Sequence, residues 1–147
     1  MAGKGSALIC DTGALVDYLV ATARDHQAFR RAIDRAQTRY LPGLVLAELD
    51  YFLRHERPAM RRFIQDVRRG AFTYAPPAID GLIRAVDIDE RYPGLGLGLV
   101  DASIVVLAED LGVHRIATRD VRHFTAVRLR DGSAFEFAVH PTRPERS

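Results

Sequence analysis

Four acidic residues occupy positions where the surrounding pattern predicts buried apolar side chains. Asp11 and Asp120 each lie just beyond a short apolar run that is typical of a buried strand, and Glu48 and Asp101 lie within helical patterns. An unpaired buried carboxylate costs several kcal/mol, so such groups are normally paired with a cation or bound to a metal ion. These residue types therefore favour a site that binds a divalent cation.

The helical spacing gives two of these acids unusual neighbours. A helix turns by about 100° per residue, which places Glu48 between Leu44 and Phe52 on the face expected to be dry. Asp101 shares its face with Ile104 in the same way. Structural alternatives remain open, because Asp11 can cap the helix that follows it and Asp101 can lie in a first turn favoured by the helix dipole.

The ligand types indicate which metal such a site would bind. The chain has one cysteine, Cys10, and no paired histidines, which argues against zinc. Carboxylate oxygens suit Mg²⁺ or Mn²⁺. A carboxylate-held cation of this kind can activate water and stabilise charge on a phosphodiester, which is nuclease chemistry.

The elements that would position these acids alternate between strands and helices. The predicted strands are Ala7–Cys10, Arg39–Leu41, Ala71–Tyr74, His114–Thr118 and Ala134–Val139. The predicted helices are Gly13–Ala21, Ala23–Ala36, Gly43–Glu56 (entered through Pro42), Pro58–Arg69, Pro77–Tyr92 and Leu99–Gly112. This order predicts an α/β sandwich on a mostly parallel sheet, with the site at the carboxyl ends of the strands. The last strand could also form a hairpin with residues 127–129.

Composition predicts one folded domain over residues 1–147, with loose tails at 1–6 and 140–147. The hydrophobic fraction of 48% and the charged fraction of 27% are ordinary for a globular protein. No apolar run approaches the roughly 18 residues that a bilayer span needs, and no signal peptide is predicted at the start. The single Cys10, expected to be a small core residue, agrees with a reducing, cytoplasmic location.

Four segments resemble, in order and spacing, the PIN domain of VapC-type toxins: DTGAL, LVLAELDYFL, GLGLVDASIVVLAE and IATRDVRHF. The resemblance extends from Ala7 to about Val139. It implies a PIN-like α/β/α sandwich with about five strands and Mg²⁺- or Mn²⁺-dependent ribonuclease activity. It also implies a homodimer that a VapB antitoxin neutralises.

The resemblance assigns the acidic quartet to Asp11, Glu48, Asp101 and Asp120. Asp11 and Asp101 are predicted to bind the metal most directly, with the other two completing its shell or holding its waters. Cleavage would leave a 3′-hydroxyl and a 5′-phosphate on transfer, ribosomal or messenger RNA, among which the sequence does not choose. Three residues beside the acids could orient carboxylates or phosphate oxygens, with ordinary turn and helix hydrogen bonds as the alternative: Thr12, Ser103 and Thr118.

Arginine accounts for all but one of the 21 basic residues. Four arginines have spacings that suggest a stripe on one helix face: Arg24, Arg31, Arg35 and Arg39. The stripe could follow an RNA backbone or be a solvated face, and the pattern leaves both open.

Arg119 and Arg122 flank Asp120 and are predicted to contact RNA at the site. His123, beside them, is interpreted as packing or capping locally.

The antitoxin is predicted to reach two places. A cationic side chain of the antitoxin's tail could enter the acidic pocket. Leu15, Leu19 and Phe29 could line a groove that receives the antitoxin, with core packing as the alternative.

Two other functions stay open. One is a catalytically silent PIN-like module that binds RNA or protein. The other is an aspartyl-phosphate phosphatase, for which Gly13 stands where a D-x-D motif needs its second acid.

Overall fold

Five short strands form the centre of the molecule. The computed structural model describes residues 6–143. The strands are β1 (Ala7–Cys10), β2 (Thr38–Pro42), β3 (Thr73–Ala75), β4 (Arg115–Ala117) and β5 (Glu136–Phe137). They are ordered β3-β2-β1-β4-β5, and every neighbouring pair is parallel. The predicted α/β fold with a mostly parallel sheet of about five strands is confirmed.

Helices make the crossovers that a parallel sheet requires. They are α1 (Thr12–Leu19), α2 (His26–Arg35), α3 (Val45–Phe52), α4 (Arg57–Arg68), α5 (Ile79–Arg91), α6 (Gly98–Leu111) and α7 (Val121–Ala126). Helix α1 packs against α2 and α3, and α5 packs against α6. None of the helices within residues 6–143 combines the length and apolarity that crossing a bilayer would require.

The middle strand β1 is the centre of the core. Leu8, Ile9 and Cys10 have no exposed surface, as expected for a parallel strand covered on both faces. Burial of each large aliphatic side chain stabilises the fold by roughly 1.5–3 kcal/mol. Burial also raises the pKa of the Cys10 thiol to about 12, which keeps it protonated. The prediction that Cys10 is a small core residue is confirmed.

The β2–α3 junction differs from the prediction. Pro42 was expected to begin a helix, but it is the last residue of β2 and pairs in register with Ala75. The Gly43 N–H continues this pairing by donating to Ala75 O at 3.0 Å. Helix α3 therefore begins only at Val45. Sheet pairing at this edge overrides the preference of proline for a first helical turn.

The arginine stripe is not formed as predicted, because α2 is shorter than the expected helix. It begins at His26 and ends at Arg35. Arg24 therefore precedes the helix and Arg39 lies in β2. Only Arg31 and Arg35 of the predicted stripe belong to α2.

The predicted hairpin is reduced to one antiparallel bridge, between Arg128 and Ala134. Gly132, with φ of 86°, makes the turn between them. The strand that follows, β5, instead pairs in parallel with β4. Residues 1–5 and 144–147, which include most of the predicted loose tails, lie outside the described residues.

The central strands position the first elements of the site. Cys10 and Ala117 are register partners at the carboxyl ends of β1 and β4. The Asp11 N–H extends the pairing by donating to Ala117 O at 2.9 Å. The two segments that leave these strands, at Asp11 and Thr118, therefore begin side by side.

Candidate active site

Asp11 is both a helix cap and a wall of a cleft. Its Oδ1 accepts a 2.7 Å hydrogen bond from the Thr12 N–H at the start of α1. Its Oδ2 accepts a 2.7 Å hydrogen bond from the Thr118 hydroxyl beyond β4. The side chain is buried, and the cap and cleft functions that the sequence left as alternatives occur together.

Glu48 joins Asp11 through Thr12. The Thr12 hydroxyl donates to Glu48 Oε1 at 2.7 Å, which ties the first turn of α1 to α3. The expectation that Glu48 lies on a dry face is wrong, because Glu48 is exposed and its neighbour Phe52 is 58% exposed. This face of α3 borders an open cleft, where solvent reaches both side chains.

His123 lies between the other two acids. Its Nδ1 is 2.6 Å from Asp101 Oδ2 and 2.8 Å from Asp120 Oδ2. Asp120 caps α7 by accepting a 3.2 Å hydrogen bond from the His123 N–H, and this cap brings the ring to the acids. These three side chains are close enough together to hold one metal ion. The sequence interpretation of His123 recognised local capping but missed the ring contacts, for which the only signal was its spacing of three from Asp120.

All four predicted acids line one cleft of about 350 Å³: Asp11, Glu48, Asp101 and Asp120. Two threonines connect them, because Thr118 Oγ1 also accepts a 2.9 Å hydrogen bond from the Asp120 N–H. A continuous series of contacts thus runs from Glu48 through Thr12, Asp11, Thr118 and Asp120 to His123 and Asp101. The acids come from α3, α6 and the ends of two strands, so the fold itself brings them together.

Ser103 lies apart from this network. Its hydroxyl donates to Val100 O at 2.6 Å, and its side chain lines a different cavity of about 350 Å³ that includes Pro42 and Asp110. Two residues along a helix correspond to a rotation of about 200°, so Ser103 and Asp101 point to different faces of α6. The geometry places Thr12 and Thr118 beside the acids as expected, but not Ser103.

Burial raises the pKa of two of the acids. The pKa of Asp11 rises to about 6 because burial disfavours its charge, and the hydrogen bonds from Thr118 and Thr12 offset this only in part. Burial likewise raises the pKa of Asp101 to about 7, opposed by its contact with His123. The charges of neighbouring carboxylates raise both values further. Both carboxylates would be stabilised by a nearby cation.

Arg119, the arginine that lines the cleft, does not supply this positive charge to the two acids. Arg119 lines the cleft, but its Nη1 donates to Asp25 Oδ2 at 2.7 Å and also to Asp17 Oδ2. The sequence placed Arg119 against RNA, whereas its guanidinium is engaged in these two ion pairs. Arg122 is exposed and makes one long contact, 3.4 Å from Nη1 to Leu95 O.

The donor set fits a hard divalent cation. Four carboxylates line the cleft, and carboxylate oxygens are the ligands that Mg²⁺ and Mn²⁺ prefer. One imidazole is also within reach, a ligand more usual for transition metals than for Mg²⁺.

Residues 8–129 match the family model of the PIN domain. The chain belongs to the PIN domain family. It is 34% identical over 131 residues to Ribonuclease VapC26 of Mycobacterium tuberculosis, a match that covers 87% of this chain and 97% of that protein. The VapC-type resemblance predicted from four sequence segments is confirmed.

Two solved structures share the fold of this PIN domain. One is VapC20 of Mycobacterium tuberculosis, described as a sarcin-ricin loop cleaving toxin. It has a TM-score of 0.68 and 17% identity, over 77% of this chain and 89% of that chain. The other is a toxin–antitoxin complex from Klebsiella pneumoniae, with a TM-score of 0.64 and 18% identity, over 82% of this chain and 92% of that chain. At these identities the likeness concerns the fold.

The structure decides between the two alternatives for the apolar residues of the early helices. Leu15 and Phe29 have no exposed surface, and Leu19 is only partly buried against the same core. Because α1 and α2 pack their apolar faces inward, the core-packing alternative is right for Leu15 and Phe29. Exposed apolar side chains lie instead on α3, α4 and α5.

Proposed function

We propose that this PIN domain is a metal-dependent endoribonuclease that acts as the toxin of a toxin–antitoxin pair. The main support is the convergence of Asp11, Glu48, Asp101 and Asp120 on one cleft. Similarity to a VapC ribonuclease over most of the chain supports RNA as the substrate. The activity would inhibit translation or growth in the cytoplasm.

The cofactor in this proposal is Mg²⁺ or Mn²⁺. Asp11 and Asp101 would bind it most directly, and Glu48 and Asp120 would complete its shell or hold its waters. When bound, the cation would activate water and stabilise the charge that develops on the phosphodiester. Its binding would also offset the cost of ionising the buried Asp11.

The chain's own contribution is to hold these oxygens in place before RNA arrives. Thr12 fixes Asp11 and Glu48 through its N–H and hydroxyl, and Thr118 fixes Asp11 and the backbone of Asp120. Such supporting hydrogen bonds keep ligands oriented and are typically worth 10–100-fold in metal affinity or activity. The expected products carry a 3′-hydroxyl and a 5′-phosphate.

The cognate partner would be a VapB-type antitoxin. A groove of about 460 Å³ between α3 and α4 contains Leu46 and the exposed Ile64, which supports contact with an apolar antitoxin segment. A cationic side chain of the antitoxin could enter the acidic cleft. Substitution of Ile64 by lysine should then weaken antitoxin binding in a pull-down without changing RNA cleavage by the free toxin.

A homodimer is also part of the proposal. Ile79, Ile83 and Val86 lie at spacings of four and three on α5 and are all exposed, with Ile79 at 71%. A second copy covering this face would remove it from water. Light scattering should detect a dimer that Ile83→Glu converts to a monomer.

RNA cleavage under four conditions tests the enzymatic proposal. Wild-type protein with Mg²⁺ or Mn²⁺ should cleave RNA, whereas wild type with EDTA, Asp11→Asn and Asp101→Asn should not. Asp87→Asn is a matched control because Asp87 is exposed on α5, away from the cleft. Equal activity in all samples would contradict the proposal.

The RNA cleavage assay, together with an assay on a small phosphate monoester, separates the alternatives. A silent RNA- or protein-binding module would leave RNA intact in every sample. An aspartyl-phosphate phosphatase would hydrolyse a small phosphate monoester and leave RNA intact. Sequencing the 5′ ends of cleaved RNA from expressing cells would then decide between transfer, ribosomal and messenger RNA.

A further inference from the structure

A large cavity adjoins the acidic cleft. It has a volume of about 970 Å³ and lies between α7 and residues 140–143, and we call it the C-terminal cavity. Arg119 and Asp120 line both this cavity and the cleft, so the two are neighbours. Its volume is at the upper end of the range of about 300–1,000 Å³ that ligand sites span.

A third space shares one lining residue with the C-terminal cavity. His140 lines both the C-terminal cavity and a cavity of about 470 Å³ beside α2. Arg31, Arg35 and Arg115 line that third cavity. The acidic cleft, the C-terminal cavity and the α2 cavity therefore follow one another along the surface, each sharing at least one lining residue with the next.

Four arginines of these two outer cavities form a set that we call the basic track: Arg31, Arg35, Arg122 and Arg143. All four are exposed, and within residues 6–143 none of them forms an ion pair. The neighbouring Arg115 and Arg119 differ, because each has a carboxylate partner. The basic track thus offers positive charge that no described acid neutralises.

The wall of the C-terminal cavity is anchored. Thr142 donates its N–H to Asp25 Oδ2 at 3.0 Å, and Arg119 Nη2 donates to Thr142 O at 3.1 Å. Arg24 Nη1 donates to Arg143 O at 2.9 Å. These contacts hold the segment that carries His140 and Arg143, which gives Arg24 and Arg119 a positioning function.

We propose that the RNA strand extends from the acidic cleft along the basic track, with its phosphates on the four arginines and a base stacked on His140. A polyanion is the ligand that a series of unpaired guanidinium groups beside a phosphodiester-cleaving cleft would recognise. Histidine rings stack on the unpaired bases of single-stranded RNA. This inference rests on the proposed ribonuclease function, and it identifies a flanking single-stranded segment as part of the substrate.

The test measures binding of fluorescent single-stranded RNA to two double variants, Arg122→Ala/Arg143→Ala and Arg31→Ala/Arg35→Ala. The control is Arg62→Ala/Arg68→Ala, which removes the same charge from exposed positions on α4. All are made in the Asp101→Asn background so that RNA stays intact. Each track variant should bind at least tenfold more weakly than the control.

The dependence of affinity on salt gives a second readout. For single strands the slope of log affinity against log salt is about 0.7 per neutralised phosphate, so each double variant should lower it by about 1.4. The control variant should show the same slope as the Asp101→Asn protein in which all arginines are intact. Equal slopes and affinities in all three double variants would overturn the basic track.

Cleavage separates failure of this inference from failure of the proposed function. With Asp101 restored and metal present, the Arg31→Ala/Arg35→Ala variant should cleave a short RNA that fills only the cleft as wild type does, because both arginines line the distant α2 cavity. Both track variants should cleave a long RNA more slowly than wild type. If wild type cleaves neither RNA, the ribonuclease proposal fails. If the track variants match the control on long RNA, only the track fails. Displacement of RNA by polyglutamate as effectively as by unlabelled RNA would also overturn the assignment, because the arginines would then recognise negative charge alone.

Discussion

Substitution of Asp11 by asparagine should stabilise the metal-free protein at alkaline pH. Burial raises the pKa of Asp11 from 3.8 to about 6, and one pKa unit corresponds to about 1.4 kcal/mol, so its charge costs about 3 kcal/mol of folding free energy. The amide of Asp11→Asn removes that charge at nearly constant size. The amide oxygen can still accept a hydrogen bond from the Thr12 N–H. The amide nitrogen cannot accept one from the Thr118 hydroxyl, and losing this hydrogen bond costs about 1 kcal/mol of folding free energy. The expected net gain is about 2 kcal/mol at pH 8.

The pH dependence gives the sign of the effect. Because the pKa of Asp11 is raised by folding, its contribution to wild-type stability is present below about pH 4 and is lost as the pH rises through about 6. The variant lacks this titration. The stability difference between variant and wild type should therefore change by about 2.5 kcal/mol, because the variant should be about 0.5 kcal/mol less stable than wild type at pH 4 and about 2 kcal/mol more stable at pH 8.

Urea unfolding in EDTA at pH 4 and pH 8 measures this difference. Comparing the variant with wild type at each pH cancels the titration of all other groups. The exposed Asp87→Asn serves as control and should show the same difference from wild type at both pH values. A difference for Asp11→Asn that does not depend on pH, or a variant less stable than wild type at pH 8, would refute the reasoning from burial.

Three further predictions concern other parts of the molecule. His123→Ala should weaken Mn²⁺ binding by at least tenfold in calorimetric titration, since the ring contacts two proposed ligands. An unchanged Mn²⁺ affinity would show that the His123 ring takes no part in the metal site. Asp25→Asn should increase amide exchange of residues 140–143, because it weakens the anchor of Thr142; unchanged protection would mean other contacts hold the segment. Gly43→Ala should lower the free energy of unfolding by about 1–3 kcal/mol in urea, because the added Cβ would lie 2.5 Å from Pro76 Cα, and a neutral effect would show that the backbone yields there.

The fold was largely predictable because its elements follow local patterns. The apolar run of β1 contains no alternation, and this is the pattern of a strand covered on both faces. The acid that ends this run marks the functional edge of a parallel sheet. The local pattern gave a wrong prediction at Pro42, which was expected to begin a helix. Pairing with β3 makes Pro42 a strand residue instead and overrides the preference of proline for a first helical turn.

The sequence was sufficient to predict which acids form the candidate site. It was not sufficient to predict the contacts and the exposure of the residues around them. Asp11 and Asp101 appear as charges in apolar surroundings, a signal carried by nearby residues. The partners of Arg119 are 94 and 102 residues away along the chain, a separation at which spacing gives no information. The exposure of Glu48 likewise depends on what lies opposite α3, which its helical pattern does not specify.

The pairing of Asp11 with Ala117 has a consequence for synthesis. Translation completes the first strand early, whereas the strand beside it and the last two acids of the cleft emerge only after most of the chain has been made. Until then Asp11 has neither Thr118 nor Asp101 as a neighbour. During synthesis the acidic cleft therefore cannot assemble until the segment that carries Thr118 and Asp120 has left the ribosome.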